Sequence, residues 1–97
     1  LNKFLPNVFG NIDTKKFIEF RNIIVKSNFN YSDISEIYFF PSGRSDIKLK
    51  NNLTLKFPKK DLLKILNLSH KIIINEKLKK NKIIDFRVQN KVIFTDD

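Results

Sequence analysis

One histidine, ten acidic residues, nineteen cationic ones and no cysteine limit the chemistry open to this chain. His70 stands beside Ser69 with no acid at helical spacing to orient its ring, so it reads as a surface or capping group rather than a general base. Asp85 and the Asp96-Asp97 pair have the oxygen donors a hard cation takes, but terminal acids without a surrounding cluster are ordinarily solvated. The absence of thiols removes disulfides, thiolate nucleophiles and Cys-based zinc sites together, and two glycines are too few for a Gly-rich phosphate loop. No nucleophile and base can be paired, so the chain reads as non-enzymatic, with no cofactor and no metal. Asp85 and Arg87 remain, two apart on one strand face, where they form a surface ion pair worth at most about 1 kcal/mol.

The element that positions this pair is the stretch IIDFRVQNKVIF, Ile83 to Phe94. Ile84, Phe86 and Val88 alternate with Asp85 and Arg87, the period of a half-buried strand, and Val92 and Phe94 resume it after Gln89-Asn90-Lys91. A three-residue loop would pair Val88 with Val92 and Phe86 with Phe94, keeping every apolar side chain on one face. Ile93 then faces away from the core with Arg87 as its cross-strand neighbour. The last strand is expected at a sheet edge, and an edge strand is either protected or used.

Upstream, Leu1 to Asn11 is apolar but interrupted by Pro6 and Gly10 and reads as an ordered loop. Asp13 or Thr14 can cap a helix whose stripe is Phe17, Phe20 and Ile24, with Ile18 and Val25 beside it. Asn28 to Ser35 is turn-like, and Glu36 to Phe40 is a short strand stopped by Pro41-Ser42-Gly43. In DIKLKNNLTLKFP a three-residue loop pairs Leu49 with Leu53 and Ile47 with Leu55, and Asn tolerates the left-handed backbone that such a loop needs. A helix carrying Leu62, Leu63 and Leu66 runs to about Ser69, followed by a turn and a shorter helical piece, because the Ile72-Ile73-Ile74 run weakens continuity. Lys77, Lys79, Lys80 and Lys82 then read as a solvated connection. The order helix, strand, hairpin, helix, hairpin implies an α+β fold: a mainly antiparallel sheet of about five strands with two to three helices on one face.

Ninety-seven residues with 41% hydrophobic content and ten Phe suit a single domain spanning 1–97 with its own core. No apolar run approaches the length needed to span a bilayer, no signal peptide is visible, and with no Met the chain reads as a processed product or excised domain. The formal charge of +9 admits nucleic acid, an anionic membrane or an acidic protein as partner. Only three of the nineteen cations are Arg, the residue that bidentate phosphate recognition prefers, and abundant Lys, Asn, Ile and Phe also fit a composition bias.

Several segments together resemble one known family. IDFR, Ile84 to Arg87, followed by a short turn and KVIF, resembles the "iDlR…rv.v" ending of the FtsQ/DivIB cell-division proteins. GRSDIKLKNNLTLKFPKKDLLKIL resembles their "GrwdlrL.nG..v.Lp……l..l" segment, and LPNVFG resembles the "lP…G" opening of their C-terminal β-domain. The match covers nearly the whole chain in the right order. Ser45 stands where the family has Trp, which leaves that Trp's surface contact without its side chain. Asn52 replaces the turn Gly, and Val88 replaces a Leu or aromatic residue.

The resemblance implies a non-enzymatic scaffold: the periplasmic β-domain of a single-pass inner-membrane protein at the division septum. Its transmembrane helix and POTRA domain lie outside this chain. The implied partners are FtsB and FtsL, recruited when the FtsB C-terminal segment adds a strand to the last strand of the sheet. Lys91, Val92, Ile93 and Phe94 would supply the edge, with Val88 and Asn90 at the turn. Arg87 would meet partner carboxylates, and Arg44 would lie near the same surface. Membrane attachment would run only through the absent anchor, and the isolated domain would be a monomer, with self-association through the open edge as another use of the strand.

A basic nucleic-acid-binding α+β module is the competing class. Single-strand binders display aromatic rings on an open sheet face. Here Phe57, Phe86 and Phe94 fall on the core face, no RNP-like motif appears and Lys residues scatter over both faces, so no nucleic acid is expected.

Overall fold

The computed structural model describes residues 5–75 and 82–96. The elements run β1 (Asn7–Phe9), α1 (Thr14–Lys26), a 3-10 turn (Tyr31–Asp33), β2 (Ile34–Phe39), β3 (Ser45–Leu49), β4 (Thr54–Phe57), α2 (Leu62–Asn75), β5 (Lys82–Asp85) and β6 (Ile93–Asp96). The six strands form one sheet in chain order, β1 to β6. The fold is α+β as expected, but the sheet has six strands and is mixed. β1 pairs with β2 and β4 with β5 in parallel, while the other three pairings are antiparallel. Both parallel pairs are joined through a helix, since a tight turn cannot return a chain to the same direction.

The central hairpin has the expected register. Ile47 pairs with Leu55, the Leu49 amide donates to the Leu53 carbonyl at 2.8 Å, and Asn52 takes the left-handed backbone with φ of 69°. α1 begins where its cap predicts: the Asp13 carboxylate accepts from the Lys16 amide at 2.8 Å. Phe20 and Ile24 are buried and Phe17 half-buried, whereas Ile18 and Val25 lie outside the core and Ile23 packs on it instead.

Three expectations need correction. Residues Asn7–Phe9, expected as loop, form β1; three residues between Pro6 and Gly10 are too few to show alternation. α2 continues through Ser69 to Asn75 as one helix. The Ser69 hydroxyl, fully buried, donates to the Leu66 carbonyl at 2.8 Å, and Ile72 and Ile73 pack on the core. In the last hairpin Ile84 pairs with Phe94 and Asp85 with Ile93, two residues away from the expected register. A shift of two keeps every side chain on its face, so alternation alone could not distinguish the two registers. Lys77, Lys79 and Lys80 lie outside the described residues, and Lys82 opens β5.

Both helices cover the same sheet face and touch each other. The Asn28 amide donates to Asn67 Oδ1 at 2.8 Å, and the Phe29 ring meets His70 edge-on at 5.3 Å. Under them Val8, Ile37, Ile47, Leu55, Ile84 and Phe94 are successive register partners, forming one apolar row. The middle four are essentially inaccessible, but Val8 and Phe94 at the two ends are 39% and 43% exposed. The helix layer therefore covers the centre of the sheet and leaves apolar side chains at both edges.

Candidate functional site

β6 is a sheet edge: among the described residues it pairs with β5 alone. The directions of its backbone groups follow from one bond. The Phe86 amide donates to the Lys56 carbonyl at 2.9 Å, so at Phe86 the backbone faces β4. Successive residues alternate, which turns Ile84 toward β4 and Asp85 and Ile83 toward β6. Asp85 and Ile83 then exchange bonds with Ile93 and Thr95, and the N–H and C=O of Phe94 point away from the sheet. A proline at Ile93 would break the bond to β5; the outward amides within the edge belong to Phe94 and, by the same alternation, Asp96.

The expected site residues distribute as follows. Ile93 and Phe94 lie in β6, 39% and 43% exposed, Ile93 beside Asp85 on the face away from the helices and Phe94 beside Ile84 on the helix side. Val88, Asn90 and Lys91 belong to the turn ahead of the edge, where the Lys91 amide donates to the Val88 carbonyl at 3.1 Å and Asn90 has φ of 61°. All three are exposed, while Val92 packs half-buried on the core. The edge proper is therefore Ile93–Asp96 rather than Lys91 to Phe94, and Thr95 and Asp96 were missed because the ladder was expected two residues earlier.

Arg87 forms the expected ion pair with Asp85 but differs from expectation in its cross-strand neighbour. Ile93 pairs with Asp85, not with Arg87. The guanidinium is held by Asp85, the last residue of β5, two positions before it: Nε donates to Oδ1 at 2.9 Å, Nη2 to Oδ2 at 2.8 Å, and the Arg87 amide also donates to Oδ1 at 2.9 Å. This fork holds the Asp85 carboxyl below its ordinary value, although partial burial works against it. The fork uses two of the five guanidinium N–H donors, and the Arg87 side chain remains 30% exposed. Arg44 is exposed in the turn between β2 and β3, its carbonyl accepting from the Phe40 amide at 3.0 Å. It lies at the same end of the sheet as the Val88–Lys91 turn but three strands from β6, roughly 14 Å at the usual strand spacing. The structure does not bring Arg44 into the edge cluster.

The sheet face away from the helices carries a second row of register partners: Phe9, Tyr38, Asp46, Lys56, Asp85 and Ile93. Phe9 and Tyr38 stack at 4.7 Å with rings 14° apart. This exposed aromatic pair escaped the sequence reading because it requires β1. Asp46, half-buried, has one carboxylate oxygen without a hydrogen-bond partner; burial pushes its carboxyl upward against the pull of Lys56 and Arg87. Charges on this face balance, with Glu36, Asp46 and Asp85 against Lys48, Lys56 and Arg87, so the chain's positive excess lies elsewhere.

A groove of about 610 Å³ opens where the first turn of α1 and the start of α2 meet the β2–β3 turn, lined by Lys16, Glu19, Phe39, Arg44, Lys59 and Leu62 among others. His70 lines a smaller one with Phe29 and Ile73. Among the described residues no group of three or more His, Cys, Asp or Glu side chains gathers as a cation site would require. No helix there is long and apolar enough to cross a membrane. No protein-family model and no curated protein matches the chain.

Proposed function

We propose that this chain is a non-enzymatic scaffold domain of the bacterial divisome, similar to the β-domain of FtsQ/DivIB proteins, which takes a strand of FtsB, with FtsL, onto β6. The observation that carries this reading is the edge itself. β6 offers the outward N–H and C=O of Phe94, flanked by exposed apolar side chains on both faces, Ile93 on one and Phe94 on the other. Strand addition draws affinity from such main-chain groups and specificity from the flanking side chains. Periplasmic placement, the inner-membrane anchor and the septal location follow from the sequence resemblance and belong to the same proposal.

With Arg87 engaged by Asp85, recognition at β6 is chiefly apolar, and Lys91, exposed just ahead of the strand, is the cation nearest the edge in sequence. A partner strand should therefore carry apolar residues on both faces. Titration calorimetry with the cognate FtsB C-terminal peptide tests this. Phe94→Pro removes one outward amide and should weaken binding at least tenfold while the domain stays folded. Arg87→Glu should act less, by loosening β5. A folded wild type that binds no peptide sinks the proposal.

A second reading, a nucleic-acid-binding module, draws support from the Phe9–Tyr38 stack on the open face. The balanced charge of that face weighs against it, since phosphate binding needs a cationic surface. Loss of oligonucleotide binding in Tyr38→Ala would favour this second reading.

A further inference from the structure

We propose that the outward side of the helix layer docks on an anionic lipid surface. The charge distribution leads there. The open sheet face is balanced, whereas α1, α2 and their leading residues carry Lys15, Lys16, Arg21, Lys26, Lys59, Lys60, Lys64 and Lys71 against Asp13, Glu19 and Asp61. Helical periodicity sorts these residues. With Phe20 and Ile24 turned to the sheet, Lys15, Ile18 and Lys26 fall on the outer side of α1. With Leu66 and Ser69 turned to the sheet, Lys64, Leu68 and Lys71 fall on the outer side of α2. Both helices follow parallel strands of one sheet and touch, so the two stripes run side by side at about 10 Å. Each reads lysine, aliphatic, lysine.

The aliphatic members identify the occupant. Ile18 and Leu68 are 42% and 41% exposed, and every large exposed apolar side chain on the two helices is aliphatic: Ile18, Val25, Leu63, Leu68 and Ile74. Among the described residues the exposed aromatic rings, Phe9, Tyr38, Phe40 and Phe94, are all on the sheet or its turns. A nucleic acid would use aromatic stacking and Arg forks, and this side offers a single Arg, Arg21. Lysines interleaved with aliphatics match a bilayer surface, where apolar tips enter the headgroup boundary and cations meet anionic lipid.

Sedimentation with phosphatidylglycerol/phosphatidylcholine vesicles tests the proposal on the 97-residue chain. Wild type should bind the mixed vesicles and leave pure phosphatidylcholine free. At roughly fivefold per surface lysine, Lys64→Gln with Lys71→Gln should lower partitioning about 25-fold. Ile18→Ser with Leu68→Ser should lower it while leaving its salt dependence unchanged. Lys48→Gln with Lys56→Gln, on the opposite face, should bind as wild type, and thermal melts check that each variant is folded. Three results overturn the proposal: no binding of wild type to anionic vesicles at low salt, equal loss in the open-face variant, or equal binding to neutral vesicles.

Discussion

Gly10 ends β1 with φ of 102°, and a Cβ there would fall within the van der Waals envelope of the Phe39 carbonyl oxygen. Both constraints act on one atom, so Gly10→Ala should cost about 2–3 kcal/mol, read from the urea midpoint. Asp46 and Asp85 pull stability in opposite directions with pH. Burial raises the Asp46 carboxyl above 3.8, so its charge opposes folding at neutral pH, and that cost is relieved as pH falls through its folded value toward 3.8. The fork with Arg87 lowers Asp85 below 3.8, so its contribution is complete above 3.8 and is lost as pH falls through its folded value. Asp46→Asn should therefore stabilise at pH 7 by less than about 1 kcal/mol, with the gain gone near pH 3. Arg87→Gln should cost up to about 1 kcal/mol at pH 7 and progressively less below 3.8, by denaturant titration at each pH.

At the scale of elements, legibility depended on how many residues voted for each feature. The β3–β4 register was readable because alternation on both strands and the Asn52 turn agreed. β1 was not, since its pairing with β2 comes from tertiary contact rather than pattern. Of the two parallel pairings, only β4 with β5 is implied by a helix read between two strands, and the sheet is nonetheless expected to be mainly antiparallel. β-branched propensity alone predicts a break in α2 after Ser69, but Ile72 and Ile73 remain helical by packing on the core. Amide exchange should show the residues on both sides of Ser69 protected as one block. Leu66→Ala, in the inaccessible middle of that helix, should cost about 2–5 kcal/mol and destabilise both halves together. At the edge, alternation places Ile93 on the correct face, but the two-residue register shift moves the edge to Ile93–Asp96 and sets Asp85 rather than Arg87 opposite Ile93.

Among the described residues the charge is uneven: the helix side carries eight cations against three acids, while the open sheet face is balanced. Self-repulsion within that layer opposes compaction and is screened over about 10 Å at 0.1 M salt. The melting temperature should therefore rise by a few degrees between low and moderate ionic strength, and Lys64→Gln with Lys71→Gln should reduce the rise. The strand order has a kinetic consequence. Each strand lies in space next to its neighbours in the chain, so no strand has to wait for a distant segment before it can add. The largest loop closures are the two helical crossovers, and a sheet assembled this way belongs with the mixed α/β domains of intermediate folding speed. β6 is then the final strand of a growth series that begins at β1. A foreign strand that pairs with Phe94 would extend that series by one more step at the same front.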